Sequence, residues 1–241
     1  MTASDTVPGR YLRALRTGDE DPTDPSALRR RRLIAVIVTL AVGVIVSAWA
    51  LRIPAGDPLF YPATAALALV WLIGAFASGP VHLGSEPYRP GRRPVVTSVG
   101  IAVALVALFC AGALVVAQIP ALRDPVDDLL AHGTRGNLVA VAALTAVNGI
   151  AEECFHRGAV YSATQRVHPV IITTIVYAAV TATTGIPLLV LAAVILGVVT
   201  AVQRRCTGGV LGPCITHVAW SLVMLIALGP LLDAASGLMH G

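Results

Sequence analysis

The sequence predicts an all-α fold: a polytopic transmembrane helical bundle of about seven spans. Three observations carry this. Hydrophobic residues make up 56% of the 241, and charged residues only 12%; a soluble domain has about 25% charged residues. The apolar residues gather into runs near the ~20 that cross ~30 Å of hydrocarbon. The basic residues gather between alternate runs, as the positive-inside rule requires. The net charge of +4 therefore reports topology and not a nucleic-acid partner.

Taken in order, residues 1–32 form a polar, basic cytoplasmic tail, expected to be disordered. Its Arg10, Arg13 and Arg16 leave room for a short basic helix on anionic lipid. Arg29 to Arg32 stand directly before the first apolar run and place the N-terminus inside. That run, from Leu33, is too long for a signal-peptide core. Span one covers about 33–51 and span two about 59–78. The Gly/Pro-rich segment 79–94, with Arg89, Arg92 and Arg93, reads as a cytoplasmic loop. Span three covers about 95–119. Residues 120–135 carry Asp124, Asp127 and Asp128 and read as an outer loop with room for a short surface helix. Span four runs from about Asn137 to about Gln165, and Pro169 opens the next element. Spans five to seven cover about 170–184, 188–203 and 208–232, with a turn at Gly185-Ile186-Pro187. The C-terminus then falls outside, in a short tail, 233–241.

Thirteen of the 17 basic residues, all arginine, fall in segments placed inside. The chain divides into the tail 1–32, N-terminal helices and loops 33–136, a core 137–232 and the outer tail. The expected location is the plasma (inner) membrane, multi-pass. Cys110, Cys154, Cys206 and Cys214 make no CxxC pair and read as buried, unreactive thiols. Small residues at Ala193, Gly197 and Ala201, and at Gly208 and Gly212, suit close helix packing.

The chemistry concentrates in Ala151-Glu152-Glu153-Cys154-Phe155-His156-Arg157-Gly158. Ionisable groups at membrane depth are costly, and they face a bundle interior or a water-filled cavity. On a helix Glu152 and His156 share a face, and Glu153 and Arg157 share the next one. The first pair reads as a base with a titratable partner, the second as a structural ion pair.

Glu152-Glu153-x-x-x-Arg157-Gly158 resembles the EExxxR signature of the CPBP intramembrane proteases, the CAAX-prenyl-protease-like and Abi proteins. Gly208-Gly209-Val210-Leu211-Gly212-Pro213, followed by His217, resembles that family's last motif. Three positions depart from the pattern. In Tyr177-Ala178-Ala179-Val180-Thr181 a threonine stands where the FxxxH motif has His. Ser221 stands where HxxxN has Asn. His156 stands where an aromatic residue is common.

The resemblance implies a peptidase in which Glu152 activates water, while His217 holds the oxyanion or moves a proton. Ser221 supplies the hydrogen bond Asn normally gives, and Glu153 with Arg157 fixes the helix. It also implies that these five side chains share one polar cavity. His156, one turn from Glu152, would substitute in part for the residue lost at Thr181. Asn148, one turn before Glu152, is either a supporting residue or helix–helix glue. Zinc is the cofactor the family's older metalloprotease label suggests, with Glu152 and His217 as ligands; a zinc site normally needs three protein ligands, and zinc is not favoured.

The implied partners are a peptide or protein substrate in the membrane, the bilayer, and other membrane proteins. CAAX names the family here and not the substrate. A catalytically impaired pseudoprotease acting as a binding or scaffold subunit is the alternative. A transporter built on the same cavity ranks below both, because no broken-helix pair or repeat is visible.

Overall fold

The structure is a computed structural model; it describes residue 13, residues 26–87, residue 89 and residues 91–237. The expectations for most of the N-terminal tail and for the last residues of the outer tail lie outside the described residues. Among residues 26–237 as described, eight helices follow in order: α1 Ser26–Ala50, α2 Phe60–Ser78, α3 Val95–Val116, α4 Pro120–Arg135, α5 Leu138–Glu153, α6 Pro169–Ala182, α7 Pro187–Thr207 and α8 Leu211–Gly237. Between α5 and α6 the helix goes on without a break, through a π-helical stretch, Cys154–Val160, and a last α-turn, Tyr161–Ala163.

Local chemistry sets most of these boundaries. Pro120, Pro169 and Pro187 stand in the first turns of α4, α6 and α7, where proline has no helical N–H to lose. Asn137 caps α5, its side chain accepting from Ala140 N at 3.1 Å, the usual service of an Asn cap. Gly208 ends α7 in the left-handed conformation, φ 69°, which glycine adopts without a Cβ penalty.

The chain is a multi-pass membrane protein. Among the described residues six helices are long and apolar enough to cross: Ser26–Ala50, Phe60–Ser78, Val95–Val116, Leu138–Ala163, Pro187–Thr207 and Leu211–Ser236. The seventh apolar helix, α6, has only 14 residues and rises about 21 Å, short of ~30 Å of hydrocarbon. It is cut short by Pro169 at one end and by the turn at Gly185, φ 76°, at the other. Large apolar side chains face outward, including Ile45, Ile73, Val96 and Ile175. The interior holds Glu153, His156, Arg157, Thr173, Thr200 and Thr216, all fully buried. Polar groups inside and apolar groups outside suit a hydrocarbon solvent.

The helices pack as pairs, α1 with α2, α3 with α8 and α6 with α7, while α5 packs on both α2 and α8. Trp71 of α2 and Phe155 lie in the main apolar cluster with Ala151, Val160 and Val210. Residues 120–135, expected as an outer loop with room for a short surface helix, are helical throughout. They form a full helix despite Pro125, because Val126 and its neighbours bury an apolar face against α3 and α8, and such packing overrides local preference. Arg123 then ties α4 to the end of α8, reaching Asp233 at 2.5 Å and Ser236 at 2.8 Å.

The segment between α2 and α3 is extended and stitched to the turn between α7 and α8. Ser85 N donates to Thr207 O at 2.8 Å, Val210 N to His82 O at 2.8 Å, and Leu211 N to Leu83 O at 3.2 Å. The last two bonds satisfy amides at the start of α8 that have no helical partner. The two chains cross at Gly84, φ +77°, and Gly209, where a Cβ on either would run into the other's backbone. Gly208 and Gly209 thus serve a helix end and a chain crossing; Gly212 fits the expected packing role, with a Cβ there meeting Ser98 Oγ at 3.0 Å.

Candidate active site

Glu153 is the electrostatic centre of the site. It lies at the end of α5, fully buried. One of its oxygens accepts from Arg157 Nη1 at 3.1 Å and from His217 Nδ1 of α8 at 2.8 Å. The expected Glu153–Arg157 pair is therefore present, and it is extended to His217. A buried carboxylate is tolerable only when opposite charge and hydrogen bonds compensate it. Arg157 is held in turn. Its Nη2 donates to Gly197 O of α7 at 3.2 Å, and its guanidinium lies 4.8 Å from the centre of the Tyr177 ring. Gly197, expected only as a packing residue, also lends its carbonyl to this charge. Arg204, also buried, donates from Nε to the Arg157 carbonyl at 3.0 Å and covers the Tyr161 ring. That bond reaches backbone of the π-helical stretch, where the regular hydrogen-bond ladder shifts. Such π-bulges recur at functional sites.

Glu152 faces the other way, into a cavity of about 540 Å³ whose walls include residues of all eight helices. Its Oε2 accepts from the Tyr177 hydroxyl of α6 at 3.0 Å. His156, His217, Ser221 and Thr181 line the same cavity, whereas Glu153 and Arg157 stand behind the wall. So four of the six expected site residues reach the cavity and two support it. Most of the remaining wall is apolar, as the enclosing spans dictate.

His156 does not contact the Glu152 carboxylate as an i,i+4 partner. Its Nδ1 donates to the Glu152 backbone carbonyl at 2.9 Å, and its ring packs against Trp71 and Tyr177. In this place the hydroxyl of Tyr177 supplies the carboxylate's partner. Thr181 turns its hydroxyl back to the Tyr177 carbonyl at 2.9 Å, so it offers its proton to the helix and not to Glu152.

His217 is the group with free chemistry. Since a carboxylate only accepts, Nδ1 carries the proton shared with Glu153, and Nε2 is the ring nitrogen left for the cavity. Neutral, it takes a proton; protonated, it gives one. Ser221 lies one turn further along α8 on the same wall.

Zinc does not fit this donor set. Among the described residues no three His, Cys, Asp or Glu side chains are grouped to hold a metal, and three protein ligands are the norm for zinc. Glu153 and His217 are bonded to each other, and Glu152 to Tyr177.

The segment bearing these groups also matches a known family. Residues 134–223 match the family model for type II CAAX prenyl endopeptidase Rce1-like proteins. Over this stretch the chain is similar to the Rce1-like family. No curated protein and no solved structure matches the chain. The Rce1-like segment covers α5 through the first half of α8, and so holds every expected site residue. Sequence reasoning missed Tyr177 as a functional group. The available signal was its place at the aromatic end of the degenerate FxxxH motif, one turn before Thr181.

Proposed function

We propose that the protein is an intramembrane endopeptidase that hydrolyses a peptide bond of a membrane-associated substrate with water activated by Glu152. The observation that carries this reading is the meeting of Glu152, Tyr177 and His217 on one cavity wall, inside the Rce1-like segment. Glu152 takes a proton from water as the water oxygen attacks the scissile carbonyl. His217, protonated at Nε2 and held by Glu153, donates to the developing oxyanion, with Ser221 beside it. Collapse of the tetrahedral intermediate breaks the C–N bond, and the proton on Glu152 passes to the departing amine. Tyr177 fixes the carboxylate, and Arg157 balances the charge of Glu153.

The orientation that accompanies this reading has the N-terminus in the cytoplasm, seven crossings and the C-terminus outside, in the plasma membrane. Residues 33–136 form the N-terminal unit and 137–232 the catalytic one. The arginine asymmetry supports that orientation.

The test is digestion of a peptide library by the purified, reconstituted protein against Glu152→Ala. Cleavage that vanishes in the variant supports the reading; equal products from both proteins overturn it. A second reading, a pseudoprotease that binds without cleaving, is favoured by one observation: the Thr181 hydroxyl is spent on its own helix. If the wild type cleaves nothing and Thr181→His with Ser221→Asn creates activity, that second reading holds.

A further inference from the structure

The cavity that holds Glu152 is walled at a distance by α4. Fourteen helical steps separate Leu138, at the start of α5, from Glu152, a rise of about 21 Å. Val126, Leu129, Leu130 and Gly133 recur at helical spacing along α4 and line the cavity, as the inward face of an amphipathic helix does. Arg123, Asp124, Asp127 and Asp128 fall on its other side. Val126 packs among the ends of α3 and α8, with Leu188 from the start of α7 beside them. So α4 lies across one end of the bundle, over the cavity.

Its hold there is light. Of its 16 residues Val126 and Gly133 are buried, against ten of the 21 in α7. Segments with few buried contacts are the first parts of a fold to open. The two ends of α4 are held differently. At the C-terminal end His132 Nε2 donates to Ile53 O at 3.0 Å, and its ring centre lies 4.5 Å from that of Phe60. Asn137 N, just beyond, donates to the Tyr61 hydroxyl at 2.8 Å. Toward the N-terminal end Pro125 withholds one helical hydrogen bond, since proline has no N–H to give. There Arg123 reaches Asp127 of α4 at 3.0 Å, and on α8 it reaches Asp233 at 2.5 Å and Ser236 at 2.8 Å. The Asp233 side chain is 74% exposed. An ion pair so open to water is weak, and salt screens it.

We propose that α4 is a hinged lid, pinned at its His132 end and latched by Arg123 to the end of α8, and that the cavity is reached from water beneath it. Opening the latch costs little, because water takes up both charges as they part. Lifting the Arg123 end draws Val126 away from Ala113, Ala117 and Leu232, and it uncovers the cavity wall at Leu228 and Leu232. The pinned end keeps the helix in place to close again. A ligand that enters sideways from the bilayer, between spans, needs no such latch. The inference concerns entry, and it holds whether or not Glu152 hydrolyses anything.

Thr145 of α5 lines the cavity between α4 and Glu152 and has no part in the chemistry proposed for Glu152, so Thr145→Cys reports entry. The full-length protein is placed in lipid nanodiscs, where both faces meet water. It is treated with a cationic, water-soluble methanethiosulfonate, and adducts are followed by intact-mass spectrometry. Labelling of Thr145→Cys is expected to be slow, and to rise about threefold with Arg123→Gln or with Asp233→Asn, the scale of a partly exposed ion pair. Salt at about 1 M is expected to raise the rate where the latch is intact and to leave it unchanged in both latch variants. Cys154 and Cys214 are native controls, buried in the main apolar cluster, and are expected to stay unlabelled throughout. Labelling of these two thiols along with Thr145→Cys overturns the proposal, since it marks a bundle that loosens as a whole. One rate for the intact latch and both variants overturns it too, as does labelling achieved only by a membrane-soluble maleimide.

Discussion

Glu153 and its neighbour Glu152 are adjacent in sequence and opposite in circumstance. Successive residues on a helix point about 100° apart, so one carboxylate enters the cavity and the other the packed core. Glu153 cannot change protonation partners without disturbing Arg157 and His217 together. Replacing it with Gln leaves the guanidinium buried without a counter-charge, a loss of about 3–5 kcal/mol. Glu153→Gln should therefore lower the thermal midpoint as well as any activity, and Glu152→Gln should lower activity alone. Unfolding monitored by circular dichroism in detergent distinguishes the two. Tyr177→Phe removes only the hydroxyl that orients Glu152. Its expected effect is a fall in kcat of roughly tenfold or more, with KM and stability near wild type, since a single bond to a charged group contributes about 1.5–3 kcal/mol. An unchanged kcat would remove Tyr177 from the site.

At the scale of elements, the site rests on three joints: the π-helical stretch, the glycine face of α7, and the loop bound to the start of α8. Gly197 faces both Thr174 and Arg157, and a Cβ there meets Thr174 Cγ2 at 3.1 Å and Arg157 Nη2 at 3.5 Å. Gly197→Val should push α7 from α6 and weaken the fold by about 1–3 kcal/mol, with Ala nearer neutral. Melting curves of the two variants test that order. Helix existence was legible in the sequence because apolar runs, prolines and the Asn137 cap are local signals. The full length of α4 was not, because its three aspartates argue for a loop with at most a short surface helix. Its reason for being helical is the apolar face it buries on other helices. His156 was misplaced for a similar reason. Spacing alone sets it beside the Glu152 side chain, whereas the ring turns to the backbone carbonyl of the same residue. The EExxxR and His217 positions were legible because their residue types are rare at membrane depth. The bond between Glu153 and His217 joins two distant helices, and no periodicity reports it.

For the whole molecule, the distribution of arginine sets the orientation to be tested. Reporter fusions after Arg93 and after Arg205 should both sit in the cytoplasm, and a periplasmic signal at either overturns the seven-crossing arrangement. The short α6 makes the second fusion the more informative. If α6 enters and leaves on the same side, everything after it is inverted.

The crossing of Gly84 over Gly209 has a consequence for the order in which the chain is made. The carbonyls of His82 and Leu83 are synthesised about half a chain earlier than the amides they serve at Val210 and Leu211. Through that interval the two carbonyls stand without the amides they will accept from, while helices α3 to α7 are made within the loop that the crossing will close. The final joint forms only when the last helix arrives, and the same helix brings His217 to Glu153. Assembly and completion of the site are thus one event. A nascent chain halted before the last span carries Glu152 and Glu153 and lacks His217, so the chemistry proposed for this site has all its parts only after the last helix is in place.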